Sequence, residues 1–476
     1  MLPSPESVQD CLPLQRKVSM RAIRRLLPAL LFAFASPVSA TDNLGDLARA
    51  YVAAHTAAWH LPSYARQTGL ACSACHYQFL TLTPFGRTFK LNGYTLTTQL
   101  SLVEKDSTNG GKLGLLPFSM LSAMVTAAVT HTRDALPDTQ NGAAALPQEL
   151  SGFLAGRITP KIGLFSQFTY AGADGAFGID NVDIRFADKT TVGGSTEMAY
   201  GVTLNNNPAV QDLWNTTPAW GFPFIGSEGA PGGAAAALID GGLSQNVLGL
   251  GGYTMVGKLV YAELSVYRSA FQGAAAPSST TGAIHGVAPY WRLAMQKEWE
   301  HQYLMVGTFG LHTSLFPDVL TGPRNTYSDV GADAQFESKV GTGNVVVRGT
   351  WIHESQTLDA SAAAGESNAK NTLKILRLNG SYYPRQWLGV TGGYFDTRGS
   401  IDAGLYPPDP VGGSASGNPK TNGLIGEVDF NPWENTRLGV QYTAYSNFNG
   451  GKTDYDGSGR DASGNNTLYA FAWLAF

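Results

Sequence analysis

Val260-Tyr261-Ala262-Glu263-Leu264-Ser265-Val266-Tyr267 alternates residue by residue between two kinds of side chain. Successive side chains of a strand point to opposite sides, so Val260, Ala262, Leu264 and Val266 share one face and Tyr261, Glu263, Ser265 and Tyr267 the other. A carboxylate opposite four aliphatics predicts a strand with an apolar medium on one side and a polar one on the other. The pattern recurs where Val182, Ile184 and Phe186 interleave with Asp183, Arg185 and Ala187. It recurs again where Leu438, Val440, Tyr442 and Ala444 interleave with Arg437, Gly439, Gln441 and Thr443.

About sixteen such segments fill residues 113–476, beginning near Leu113, Glu149, Pro160, Gly178, Ser195, Val247, Lys258, Val287, Tyr303, Thr326, Gly343, Leu373, Gln386, Thr421, Asn435 and Asn466. Short and long links alternate strictly between them. Thr159-Pro160, Lys189 to Gly194, Glu300 to Gln302, Lys339 to Thr342, Pro384-Arg385 and Trp433-Glu434 are short. His131 to Gln148, Asn205 to Asn246, Ala270 to Gly286, Gln356 to Thr372, Gly399 to Lys420 and Asn449 to Asn465 are long. Short periplasmic turns, longer outside loops, an even strand count and two-faced segments of about ten residues define an outer-membrane β-barrel. Closure removes sheet edges and satisfies every backbone group, as hydrocarbon demands. The expected fold is thus an all-β membrane protein, an outer-membrane barrel of about sixteen strands held by lipid. Trp291, Trp299, Trp387, Trp433 and Trp473 lie near segment ends, where interface girdles belong. The final Tyr469-Ala470-Phe471-Ala472-Trp473-Leu474-Ala475-Phe476 resembles the assembly signal of such barrels. Tyr469, Phe471 and Trp473 are out of phase with Phe476, which leaves open the face that meets lipid. A soluble propeller or β-helix would carry a fixed repeat of roughly 40 residues or fewer, and none is visible.

Residues 1–40 read as a secretory signal: Arg21, Arg24 and Arg25, then apolar Leu26 to Ala35, then Val38-Ser39-Ala40. Met20 is a plausible true start, with residues 1–19 upstream of it. Net charge is −4 and no basic run follows the leader, so no nucleic-acid partner is expected. No later window holds the ~20 apolar residues of a membrane helix. Of three cysteines, Cys11 lies in the discarded part.

The other two define residues 41–112. Cys72-Ser73-Ala74-Cys75-His76 has the spacing of a c-type haem attachment site. Each thiol adds to one vinyl group, and the following His ligates the iron. A disulfide, a zinc half-site and a redox pair are the alternatives, although zinc wants two further ligands at similar spacing. Leu47, Ala50, Tyr51, Ala54 and Ala58 predict a helix over 46–59, stopped by Pro62. The segment is small for an independent core and is expected to lean on something larger, inside the barrel. His55, His60, Met120 and Met124 are candidate sixth ligands, beside an open site. Arg66, Arg87 and Lys90 are candidate partners of the haem propionates.

Pro62, Ala65-Arg66-Gln67-Thr68-Gly69, Cys72-x-x-Cys75-His76, Leu82-Thr83-Pro84-Phe85-Gly86-Arg87, Phe89-Lys90 and Gly93-Tyr94 resemble the fused cytochrome–porins of the outer membrane, candidate iron oxidases of iron-oxidising bacteria. The rest of the chain matches that family in architecture. The resemblance implies one haem c on Cys72 and Cys75, with His76 as iron ligand. It implies an Fe(II):cytochrome c oxidoreductase-like activity without bond-making catalytic residues. Extracellular Fe(II) would be the donor and a periplasmic c-type cytochrome the acceptor. Conduction for another extracellular donor or acceptor, and a diffusion porin with a haem-bearing plug, are the alternatives. Asp134, Asp138, Asp212, Glu228, Asp359, Asp402, Asp409, Asp454, Asp456 and Asp461 in the long loops either enrich Fe(II) near the mouth or are simply solvated.

Overall fold

The structure, a computed structural model, describes residues 62–96, 102–105, 112–115, 120–270, 282–317 and 320–476. The leader, the helix expected over 46–59, His55 and His60 lie outside the described residues. Sixteen antiparallel strands close into one barrel. They are β1 (Leu121–Thr132), β2 (Ala144–Thr159), β3 (Ile162–Ala171), β4 (Ala176–Val192), β5 (Thr196–Asn205), β6 (Val247–Val256), β7 (Val260–Ser269) and β8 (Ala288–Glu298). Next come β9 (Gln302–Phe316), β10 (Asn325–Val340), β11 (Gly343–Leu358), β12 (Lys370–Arg385), β13 (Leu388–Gly399), β14 (Thr421–Trp433), β15 (Thr436–Asn447) and β16 (Thr467–Ala475). A two-residue piece, Ala283–Ile284, extends the place of β8 along β9. Pairing of β16 with β1 closes the sheet, Leu474 opposite Val125, and Phe476 exchanges backbone hydrogen bonds with Ala123 at 2.7 and 2.9 Å.

Every strand pairs with its neighbour in sequence, so the wall needs only local turns. The first strand begins at Leu121, later than the alternation suggests. Lys112–Leu115 instead pairs with Leu102–Lys105 in a separate two-stranded ladder. The loop rhythm also has one exception: Gly172 to Gly175 join β3 to β4 by a tight turn at the long-loop end.

The two faces separate as the alternation requires. On β7, Tyr261, Glu263, Ser265 and Tyr267 are buried in the lumen, while Leu264 is 62% exposed on the outside. On β15, Arg437 and Gln441 point in, and Leu438, Val440 and Tyr442 point out. The outer surface is a continuous apolar belt, which water does not tolerate and a bilayer does. The phase of β16 is now decided: Tyr469, Phe471 and Trp473 are buried inside, while Leu468, Leu474 and Phe476 face outward. Trp473 is therefore a lumen residue and no part of a girdle. Trp299, Trp387 and Trp433 are exposed beside the short turns and do form one. No described helix is long and apolar enough to cross a membrane. Leu264→Arg is expected to cost about 2–4 kcal/mol of barrel stability near the bilayer midplane. Urea titration from phospholipid bilayers measures it, and an unchanged midpoint would place β7 away from lipid.

Residues 206–246, between β5 and β6, do not project outward. They fold into the lumen, where Ala209, Val210, Gln211, Asp212, Leu213, Trp214 and Thr217 are fully buried. Asp212 organises the turn, its Oδ2 accepting from the Thr216 and Thr217 amides at 2.8 and 3.1 Å. Arg292 of β8 holds Asp212 at 3.1 Å and Asp333 of β10 at 2.7 Å. Farther along, the Ile239 amide donates to Asp329 at 3.0 Å, and Arg377 pairs with Asp240. We call this segment the inner loop.

Candidate cofactor site

Residues 62–96 also lie inside the barrel, at the short-turn end. Three short helices carry them: α1 (Ser63–Thr68), α2 (Cys72–Cys75) and α3 (Pro84–Leu91). Gly69 ends α1 in the left-handed region, φ 69°. A hairpin pairs His76 with Leu82 and returns the chain, so that Thr83 lies against α2, its amide on the Cys75 carbonyl at 2.9 Å. Thr83 then caps α3, accepting from the Gly86 amide at 3.1 Å, with Pro84 at the first helical position. A Cβ on Gly86 would stand 2.2 Å from the Cys75 carbonyl oxygen. Only glycine lets α3 pack on the cysteine-bearing turn, which is the physical sense of Thr83-Pro84-Phe85-Gly86.

This plug is tied to the wall on several sides. Tyr64 donates to the Leu164 carbonyl of β3 at 2.8 Å, and Gln67 to Ala155 of β2 at 2.9 Å. Tyr77 donates to Glu337 of β10 at 2.9 Å, and Tyr253 of β6 to the Leu91 carbonyl at 2.9 Å. Tyr94 donates to Asp183 of β4 at 2.6 Å. Asp183 also accepts from Arg185 at 2.7 Å and Thr203 at 2.8 Å, and all three residues are fully buried. The Ser73 hydroxyl reaches Glu434, in the turn between β14 and β15, at 3.0 Å.

Plug, wall and inner loop line a cavity of about 540 Å³. Cys72, Cys75 and His76 line it from the plug, Met124, Phe153, Phe165 and Trp473 from the wall, and Trp220, Phe224 and Ile225 from the inner loop. Its size is that of a cofactor pocket and its walls are largely apolar. The His76 ring is 5.7 Å from that of Phe79, which packs on Trp473 at 4.4 Å. His76 Nδ1 is buried without a hydrogen-bond partner, and burial pushes its pKa down to about 4, so the imidazole is neutral. Neutral imidazole is the form that ligates a metal. Cys72 and Cys75 form no disulfide. Burial raises both thiols, Cys75 to about 11, away from the thiolate that redox exchange needs. Among the described residues no group of three His, Cys, Asp or Glu side chains is placed to hold a metal ion. Two thiols and an unpartnered imidazole on one wall of an apolar cavity suit a covalently held porphyrin.

The candidate accessory residues separate sharply. Met124 lines the cavity. Met120 does not, and its carbonyl takes the Ala155 amide at 2.9 Å. Arg87 is spent on Glu337 and lies over the Tyr303 ring, 4.1 Å from its centroid. The Arg66 guanidinium donates to the Leu121 carbonyl. Lys90 lines the cavity, donates to Asn215 of the inner loop at 3.1 Å and sits 4.8 Å from the Trp220 ring centre. It is buried, and desolvation followed by the nearby Arg185 charge brings its pKa down to about 7.

The acidic loop residues do not assemble. Asp212 is a structural ion pair in the lumen. Asp402 accepts from the Asn368 amide at 2.7 Å, and Asp456 from the Val411 and Ser458 amides at 3.0 and 2.8 Å, so both serve loop turns. The inner-loop residues Trp220, Phe224 and Ile225 were missed by strand-periodicity reasoning. The signals for them are the length of 206–246 and its run of aromatics, Trp214, Trp220, Phe222 and Phe224.

No protein-family model and no curated protein matches the chain. Similar folds occur among solved structures. They include the anion-selective porin from Comamonas acidovorans, at 13% identity over 75% of this chain and 98% of that one, TM-score 0.45. OmpF of Salmonella typhi, in complex with daunomycin, gives 12% over 75% and 97%, TM-score 0.42. The outer membrane channel DcaP of Acinetobacter baumannii gives 13% over 75% and 96%, TM-score 0.41.

Proposed function

We propose that this chain is a single-haem electron-transfer protein of the bacterial outer membrane, with haem c joined to Cys72 and Cys75 and its iron held by His76. The observation that carries the reading is the Cys72-Ser73-Ala74-Cys75-His76 turn lining a largely apolar cavity within a membrane-type barrel. When bound, the haem supplies a one-electron carrier. The protein supplies the rest. The wall isolates the cavity from lipid. The plug and the inner loop fill the lumen on either side of it and oppose free diffusion of solutes. The plug sits at the short-turn end, which is the periplasmic end of such barrels, so Ser73 and Glu434 mark the side from which a periplasmic c-type cytochrome collects the electron. The donor is extracellular Fe(II), arriving from the long-loop side.

A redox-difference spectrum of outer membranes tests this. Adding Fe(II) from outside is expected to reduce the haem, with little leak of small sugars, and His76→Ala should lose the reduction with the barrel intact. Free passage of sugars without any reduction by iron would make the chain a diffusion porin. Reduction by a different external donor alone would keep the conduit and remove iron.

Lys90 is the cation left for a propionate, and its charge favours the reduced haem. A propionate beside it raises the lysine pKa, so the charge is present below that raised value, and losing it as pH climbs through that value lowers the midpoint potential. Lys90→Met is expected to lower it by on the order of 50 mV at pH 6 and to flatten its pH dependence. A potentiometric titration that is unchanged at both pH values would place Lys90 away from the haem.

A further inference from the structure

Three basic side chains stand side by side on the outer surface of the wall. His353 of β11 is the cross-strand partner of Lys374 of β12, and Lys374 is the partner of Arg398 of β13. They share the face of the exposed Val347, Leu378 and Val390, so they point away from the lumen. Neighbouring strands lie about 4.8 Å apart, so the row spans roughly 10 Å. Lys374 is exposed, and the Arg398 side chain is 62% exposed.

The height of the row follows from the strand. From Trp387, in the girdle beside the short turns, to Arg398 the chain climbs eleven residues. At about 3.3 Å per residue and about 40° of tilt this is roughly 28 Å, against an apolar band of about 25 Å. The row therefore stands at the far edge of the belt, on the long-loop side. Trp351, exposed and stacked on His353 with ring centres 6.2 Å apart, marks that edge. A lipid whose chains cover Leu376, Leu378 and Val347 must place its headgroup at this level.

The charges there are predominantly positive. On the outer faces of β11, β12 and β13 the one acid is Asp396, whose Oδ2 takes Arg398 Nε at 2.7 Å. Lys374, and Lys370 farther out on the same face, have no acidic partner among the described residues. Like charges directly opposite on neighbouring strands destabilise a sheet. An anion held between Lys374 and Arg398 removes that cost.

We propose that His353, Lys374 and Arg398 bind the phosphate of a phosphorylated glycolipid of the outer leaflet. Arg398 supplies directional N–H donors and Lys374 a point charge. Arg268 of β7, near the same edge, stands opposite Leu248 and forms no such row. The site is independent of whether haem is the cofactor.

Native mass spectrometry of the full-length protein in detergent tests it, with bisphosphorylated lipid A, zwitterionic dioleoylphosphatidylcholine or inorganic phosphate added in turn. Lipid A is expected to stay bound and phosphatidylcholine to be lost. Lys374→Glu places a carboxylate opposite Arg398 and leaves Asp396 paired; it should raise the lipid A dissociation constant about 30-fold. Lys374→Arg should keep binding, and Arg268→Glu should leave it unchanged, with heat-modifiable migration showing that each barrel is assembled. Equal retention of the two lipids, unaltered binding in Lys374→Glu, or an equal loss in Arg268→Glu would overturn the proposal. Displacement of lipid A by inorganic phosphate would also overturn it, by making this a site for the free ion.

Discussion

Replacing Cys72 and Cys75 together by serine is expected to remove all covalent porphyrin mass from the processed chain. The reason is chemical: the other cysteine, Cys11, precedes the expected cleavage site, so no other thiol remains to form a thioether. Each single variant keeps one link, and His76→Ala keeps both while changing the iron's spectrum through loss of its ligand. The barrel itself should assemble in every case, because no strand of the wall is altered and the wall pairs in sequence order. Intact-mass spectrometry together with heat-modifiable migration on gels reads the two effects separately. A native chain without added mass, or porphyrin retained covalently in the double variant, ends the haem reading and leaves the barrel untouched.

Asp183→Ala is expected to release the plug. Asp183 accepts from Tyr94 of the plug at 2.6 Å and neutralises Arg185, whose other nitrogens hold the Lys90 and Gln211 carbonyls at 3.1 and 2.7 Å. One carboxylate therefore joins wall, plug and inner loop. Removing it leaves Arg185 buried and unpaired, which costs about 3–5 kcal/mol. If that cost falls on docking of residues 62–96, their open population rises roughly 10²- to 4 × 10³-fold, at about 1.4 kcal/mol per factor of ten. Hydrogen exchange across 62–96 should accelerate by that factor, and small sugars should begin to leak. Asp183→Asn keeps an acceptor for Tyr94 and should fall between. Unchanged exchange in Asp183→Ala would show that the plug is held by its other contacts, such as Gly163, where a Cβ would stand 2.0 Å from the Gly93 carbonyl oxygen.

Strand number, the faces of every strand quoted for its alternation except the last, and the cysteine turn were readable from residue order alone. Alternation is set by side chains two positions apart, and a closed wall of hairpins adds no information beyond its neighbours. Cys72, Cys75 and His76 are likewise local, brought together by one turn of chain. What folding decided is everything that depends on distant partners. Arg87 was a fair candidate for a propionate until Glu337, 250 residues away, claimed it. Asp212 sat in a loop that its length and aromatics set apart, but nothing near it in sequence named its partner, Arg292 of β8 in the lumen. Trp473 fell inside because closure against β1 fixed the phase of the last strand. Lys90 is left facing the cavity. Charge balance in a buried lumen is a sum over many strands, and no window of sequence contains that sum.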